Sequence, residues 1–375
     1  MLKQIPPSFL LGSATLRAGN GGIARVGRLT ARALLDTGAD VRLLSLGDYE
    51  APEIMGCSAT IARGSKLRFW LHCQMAALSK THFVYDCPGV ARAHPHFISR
   101  PYAVWLAGLE ACESIRPEID RALRRADLVL AISNYALARF EALRGPLPQA
   151  QVCWLGTEDD DEPAAPEFAG PPTALILARM WEEEGRKGHA ELIGCWPYVL
   201  ARIPNARLLV VGGGKGRANL EAAAGRSLAS RQIEFTGYVP EAEIDRVWGQ
   251  AHLLAMPSRQ EGFGMVYIEA MRRGLPVIAS RHDAGQEVNV DNETGFNVDL
   301  DRPAELVDRL ARLLGNPTQC AEMGAAGRRR WRKHFRYSAF ASRVSEHIRV
   351  LSCHESQRIV CGRSLCRPDT YSGDV

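Results

Sequence analysis

A chain of 375 residues that is 46% apolar and 23% charged is too long for one ordinary domain and too apolar to be disordered, so two α/β-sized domains are expected. A net charge of +4 and a pI near 8.5 fall short of a dedicated nucleic-acid binder. The ten cysteines are scattered singly and read as reduced structural thiols, and no apolar run approaches the length of a membrane span, which predicts a cytoplasmic protein, at most peripheral to a membrane.

Short β-branched or Leu/Ala runs alternate with amphipathic stretches, the pattern of parallel sheets covered by helices, so the fold class is α/β. Strands are expected near 8–13, 41–46, 81–85, 102–106, 128–132 and 151–155, with helices such as 23–35 and 118–125 between them. Residues 1–165 therefore form one Rossmann-like unit. Up to Thr157 this unit carries 18 Lys/Arg against 12 Asp/Glu, a bias suited to an anionic acceptor or membrane surface. The next five residues, Glu158 to Glu162, are all acidic, and four prolines follow by Pro172. Charge repulsion and proline both oppose compact structure, which places the interdomain linker there.

A second series follows over 172–335, with strands near 173–178, 207–211, 232–236, 252–256 and 276–279 and helices near 188–202, 241–249, 264–273, 303–314 and 318–333. This is a second Rossmann-like unit. Helical spacing of Phe340, Val344, Ile348 and Leu351 predicts a last helix over 337–351 that packs back on the first unit. The polar segment 352–375 reads as a disordered tail.

The chemistry concentrates in the stretch from Ser258 to Ser280, where a strand passes through a glycine-flanked loop into a helix. Such a loop offers free amides to an oxygen-rich ligand, and Gly262 and Gly264 allow close approach. Glu261 sits on the loop, and Glu269 lies about two turns along the helix. Two carboxylates so placed can bind different parts of one extended polyhydroxylated ligand. Arg179, ending the first strand of the second unit, and Lys187, beginning the next helix, are placed to stabilise charge on a departing diphosphate. In the first unit, Gly21 and Gly22 open a helix after a strand, again directing amides at an anion.

These residues resemble the Glu-x7-Glu signature of retaining GT-B glycosyltransferases, family 4, and the resemblance extends over nearly the whole chain, weakest over 47–80. It implies two Rossmann-like domains facing across a cleft. The reaction implied is transfer of a sugar from a nucleotide-diphosphate donor to a glycan or lipid-linked acceptor, with no cofactor, no metal and no nucleic-acid partner. By that resemblance Glu261 holds the donor sugar with the amides of Gly262, Phe263 and Gly264, Met265 adjoins them, and Glu269 binds the ribose. Arg179 and Lys187 grip the phosphates, which Gly21 and Gly22 face from the other domain. Gly213 skirts the nucleotide and Val239 lines the base.

The insertion over 181–186 leaves Arg186 as a competitor of Lys187. Glu287 has a family counterpart near the donor and also fits an ordinary surface residue. The sequence departs from the family at Ala107, where a histidine is expected beside the sugar. Asp86 and Glu110 are the candidates for a carboxylate on the opposite face. The basic run 328–336 could touch anionic lipid or be a solvated helix end. Two other functions stay open: a GT-B-fold nucleotide-sugar 2-epimerase, and a catalytically weak sugar-nucleotide-binding or scaffold homologue.

Overall fold

The computed structural model describes residues 7–108, 116–180 and 187–360. Glu110, Arg186 and residues 361–375 lie outside them.

Two parallel sheets organise the chain. The first combines β1 (Ser8–Ser13), β2 (Asp40–Ser45), β5 (Thr60–Ile61), β6 (Thr81–Tyr85), β7 (Tyr102–Leu106), β8 (Leu128–Ala131) and β9 (Ala150–Val152) in the order β5-β2-β1-β6-β7-β8-β9. The short strands β3 (Glu53–Ile54) and β4 (Cys57–Ser58) form a separate antiparallel hairpin. The second sheet combines β10 (Thr173–Leu177), β11 (Arg207–Val211), β12 (Ile233–Gly237), β13 (Leu253–Ala255), β14 (Val277–Ser280) and β15 (Gly295–Val298) in the order β12-β11-β10-β13-β14-β15. Every residue of β6, β7, β13 and β14 is buried, as expected where helices cover both faces of a parallel sheet. In such sheets ligands bind outside the carboxyl ends of the strands. The Gly21 loop follows β1, Arg179 follows β10, Gly213 follows β11, Val239 follows β12 and the Glu261 loop follows β13.

The last helix, Tyr337–Val360, packs against the first sheet at β7 and β8 and against helix α1 (Gly22–Asp36). Phe340, Val344, Ile348 and Leu351 are buried, and Phe340 stacks on Trp105 at 6.0 Å. The helix continues to Val360 rather than stopping at Leu351. Backbone helicity there outlasts the apolar stripe that locates the helix in the sequence.

The acidic run is also not the repelling linker its composition suggests. Glu158 accepts from Arg25 and Arg28, Asp159 pairs with Arg272, and Glu162 is shared by Arg332 and Arg336. Arginines from both units and from the helix Pro317–His334 neutralise it. The same contacts occupy much of the basic run: Arg328 donates to the carbonyl of Ala164, and Arg330 donates to those of Glu287 and Val288. Its cations are thus largely spent inside the molecule. The described cysteines are all unpaired with one another, and burial pushes the thiols of Cys73, Cys153, Cys195 and Cys320 up to about 12, which makes them inert packing groups. Among the described residues no helix is long and apolar enough to cross a membrane.

Candidate functional site

The Glu261 loop is built by its glycines and its buried neighbours. Gly264 has φ +92°, and a Cβ there would meet Cγ of Tyr267 at 3.2 Å. Tyr267 is itself fixed, its hydroxyl donating to the carbonyl of Met256 at 2.7 Å. Phe263 is buried against Phe335, with ring centroids 6.0 Å apart, so its side chain anchors the loop and leaves only its backbone for a ligand. Asp283, wholly buried after β14, accepts from the amide of Glu261 at 2.8 Å and from that of Gly285 at 2.9 Å. Burial raises the Asp283 carboxyl to about 7, against the pull of those two amides.

Glu261 and Lys187 meet: Lys187 Nζ donates to Glu261 Oε2 at 3.0 Å and to the carbonyl of Gln260 at 3.3 Å. Lys187 leads into Gly188, which caps the helix His189–Leu200 with φ +88°, and a Cβ on Gly188 would meet the carbonyl oxygen of Pro257 at 2.6 Å. Lysine, helix terminus and glutamate loop therefore close on one another. His189, buried beside them, has its pKa lowered to about 4 by burial and then by the charge of Lys187.

Arg179 reaches the other domain. Its guanidinium carbon lies 2.9 Å from where a Cβ on Gly21 would stand, so a side chain at Gly21 would displace the guanidinium. Gly21 has φ +89° and ψ −170° and caps α1. The Gly21 loop is braced from beneath by two buried carboxylates: Asp86 accepts from Ser13 Oγ and from the amide of Ala14 at 3.1 Å, and Asp48 accepts from the amide of Leu16 at 2.7 Å. Burial raises Asp86 to about 7. Asp86 is thus committed to holding β1 and its loop rather than standing ready as a second sugar-facing carboxylate.

Between the domains lies a cavity of about 510 Å³ whose wall includes Gly21, Gly22, Val239, Met265 and Glu269 but not Gly213, Lys187 or Glu261. The candidate residues form two adjoining groups, a cavity and a charged pair beside it. Gly213 instead belongs to a loop packed on the 178–180 backbone: the amide of Met180 donates to its carbonyl at 3.0 Å, and Cβ atoms on Gly212 or Gly214 would run into Ala178 and Met180. Glu269 is engaged across the cleft, where its Oε1 accepts from Arg25 Nη1, and this pairing is the largest cause holding the Arg25 guanidinium above its usual range. Ala107 stands half-buried just past β7 and brings no polar side chain.

Several contacts emerge only in three dimensions. Ser133 caps the helix Asn134–Arg144 of the first domain and donates to the carbonyl of Gly262 at 2.7 Å. Glu287 accepts from the amide of Asn134 at 2.8 Å, from its side chain at 3.0 Å and from the amide of Tyr135, so it is an interdomain clasp on that helix terminus and not a free surface group. The pattern Ser133-Asn134 before a helical run is the one sequence signal that marks this terminus. Asp299 and Asp301, an Asp-x-Asp spacing, gather with His282 within 4.8 Å of one another. They are already paired, Asp299 with His282 at 3.2 Å and Asp301 with Arg259 at 2.7 Å.

The architecture, two facing Rossmann-like domains with glycine loops and cations at the interdomain edge, is that of GT-B glycosyltransferases. Residues 158–330 match the family described as glycosyl transferases group 1. The chain is 31% identical over 265 residues, 64% of its length and 67% of the relative's, to a GDP-mannose-dependent α-(1-6)-phosphatidylinositol monomannoside mannosyltransferase of Mycolicibacterium smegmatis. It is 34% identical over 194 residues, half of each chain, to the phosphatidyl-myo-inositol mannosyltransferase of Mycobacterium leprae. In fold it is similar to HepE of Anabaena, solved with UDP and glucose, with TM-score 0.75 at 16% identity over 92% of this chain and 99% of that one. The chain belongs to the glycosyl transferases group 1 family and is a glycosyltransferase that uses a nucleotide sugar.

Proposed function

We propose that the protein is a retaining, metal-independent transferase that moves mannose from GDP-mannose to a glycan or lipid-linked acceptor on the cytoplasmic side of a bacterial membrane, in polysaccharide or glycolipid biosynthesis. The observation that carries this reading is the convergence of Arg179 on Gly21 and of Lys187 on Glu261, beside a cavity of nucleotide size. The mannosyl assignment rests on both of these relatives, which are named as mannosyltransferases, and the GDP assignment on the one from Mycolicibacterium smegmatis, which is named for GDP-mannose.

In this reading the nucleoside occupies the cavity, with its base near Val239 and its ribose hydroxyls donating to the free oxygen of Glu269. The diphosphate sits between the Gly21 loop and the two cations. Glu261 accepts from the sugar hydroxyls while its pairing with Lys187 keeps both side chains in place. The acceptor hydroxyl attacks C1 from the leaving-group side as the bond from C1 to the phosphate oxygen breaks, and its proton passes to that departing oxygen. Arg179 and Lys187 stabilise the negative charge gathering on the diphosphate, an effect strongest where water is excluded. The products are a glycoside and a nucleoside diphosphate.

A thermal-shift and hydrolysis screen against GDP-, UDP-, ADP- and TDP-sugars, each with and without chelator, tests the assignment. GDP-mannose should stabilise the protein and slowly release GDP whether or not chelator is present. Conversion of the donor sugar without transfer would identify an epimerase. Binding without turnover would move the function to a scaffold, with Ala107 as the leading cause.

A further inference from the structure

Arg25 stands in the first turn of α1, its amide donating to the carbonyl of Gly21 at 3.2 Å, so it is placed by the same glycine loop that faces the proposed diphosphate position. Its side chain, only 25% exposed, forks between two carboxylates. Nη1 donates to Oε1 of Glu269 in the second domain, and Nε donates to Oε1 of Glu158 at 3.3 Å. The Glu158 end is firmly seated. Arg28 donates to the same Glu158 oxygen and Arg32 to the Glu158 carbonyl, so three arginines spaced three and four apart on one face of α1 hold that residue.

Left alone, Glu269 would oppose its own ligand. A bare carboxylate on the wall of a cavity that admits a nucleoside diphosphate repels it, and its rotamers must be frozen when the ribose arrives. Pairing with Arg25 removes both penalties, because the charge is neutralised and the side chain is ordered before the ligand enters. The pairing also spares the atom a ligand needs. Oε2 of Glu269 has no partner among the described residues and 19% of the side chain stays exposed, so a ribose hydroxyl can donate to it without displacing Arg25. The other arginines of the cavity wall are engaged elsewhere, Arg28 on Glu158, Arg272 on Asp159 and Arg273 on Asp245.

Arg25 and Glu269 are 244 residues apart and belong to different domains, so their contact forms only with the two cleft edges together. We propose that Arg25 is a positioning residue for donor binding: from the first domain it holds Glu269 of the second so that the free carboxylate oxygen receives the ribose hydroxyls. This role rests on the nucleotide site proposed above and adds to it a residue that sets ribose affinity through Glu269 rather than by touching the ligand.

Calorimetric titration of the full-length protein with GDP and 2′,3′-dideoxy-GDP, and in parallel with UDP and its dideoxy form, isolates the contribution of the ribose hydroxyls. The readout is the ratio of the two Kd values for the nucleotide that binds. Wild type favours the ribose form roughly tenfold or more, and Arg25→Ala brings the ratio to within about twofold of one. Arg25→Lys, made in case the alanine variant does not fold, keeps the charge without the fork and gives an intermediate ratio. Added to Glu269→Ala, Arg25→Ala leaves the ratio where Glu269→Ala alone puts it, the signature of a residue acting through its partner. A wild-type ratio in Arg25→Ala would overturn the proposal, as would a further fall in the double variant. Tighter binding of the ribose form by Arg25→Ala would also overturn it, making the pair a latch that the donor must open. Absence of nucleotide binding by wild type would overturn both the proposal and the nucleotide site. Because the ratio is read on whichever nucleotide binds and no transfer is measured, failure of the proposal is separate from failure of the GDP assignment or of the proposed reaction.

Discussion

The pair Gly21 and Gly22 allows a test in which neighbouring, chemically identical substitutions should behave differently. At Gly21, φ +89° with ψ −170° is a region that only glycine visits comfortably, so Gly21→Ala should cost about 1–3 kcal/mol of stability. The new Cβ would also stand 2.9 Å from the guanidinium carbon of Arg179. That second conflict involves the tip of a flexible side chain, and Arg179 relieves it by swinging away. Its cost therefore falls on catalysis. Moving a unit charge from about 4 Å to about 8 Å from a phosphate, at an effective dielectric near 20, loses about 2 kcal/mol of attraction, or roughly 30-fold in kcat/KM. Gly22→Ala meets nothing within 4 Å and sits in the first turn of α1, where alanine is the better residue. Steady-state transfer kinetics and thermal melts on both variants measure the two effects. Gly21→Ala should lose a few degrees in Tm and roughly 30-fold in kcat/KM, and Gly22→Ala should keep its Tm. An equal loss of Tm in the two variants, or a Gly21→Ala variant with unchanged kcat/KM, would refute the placement of Arg179 against Gly21.

Lys187→Ala removes a cation from the diphosphate position, about 4 kcal/mol at close range, so kcat/KM should fall roughly a thousandfold. Its Tm should barely move, since a partly exposed ion pair is worth at most about 1 kcal/mol. A stability loss large enough to account for the lost activity would make the residue structural. Glu287→Ala strips the helix Asn134–Arg144 of its interdomain partner, and a loss of about 1–2 kcal/mol in urea unfolding is expected, together with a larger radius of gyration by small-angle scattering. An unchanged scattering profile would mean that the clasp does not hold the domains. The raised carboxyl of Asp86 makes stability pH-dependent in a defined direction. The folded state holds that proton up to about 7, whereas the unfolded state releases it near 4, so this contribution is complete below about pH 4 and is lost as pH rises to 7. Asp86→Asn should therefore flatten the decline in unfolding midpoint between pH 5 and pH 7.5, and an identical slope in wild type and variant would contradict the burial argument.

The strand and helix series was readable because each half-buried or buried element carries its own period. Three features escaped for physical reasons. Helix α2 (Lys66–Ala77) has no amphipathic signature because both of its faces are apolar, one against Gly12 and one outward. Strand β15, Gly295–Val298, is four residues long and opens on a glycine, too brief to stand out from a turn. The acidic run from Glu158 looked repulsive because its neutralising partners, Arg25, Arg28, Arg272, Arg332 and Arg336, lie more than a hundred residues away in sequence. In the site, the spacing of Glu261 and Glu269 is local to one loop and helix and was therefore legible. That Asp283 anchors the loop backbone, that Arg25 holds Glu269, and that Glu287 clasps the opposite domain all depend on how sheet edges face each other, which no local pattern encodes.

The most direct test of the proposed reaction is to follow transfer from GDP-mannose to an acceptor by proton NMR in the presence of excess chelator, reading the anomeric configuration of the first product formed. The account predicts an α-linked product, the configuration of the donor, formed in step with GDP release and undiminished by chelation. A β-linked product, or turnover that stops when divalent ions are removed, would contradict it.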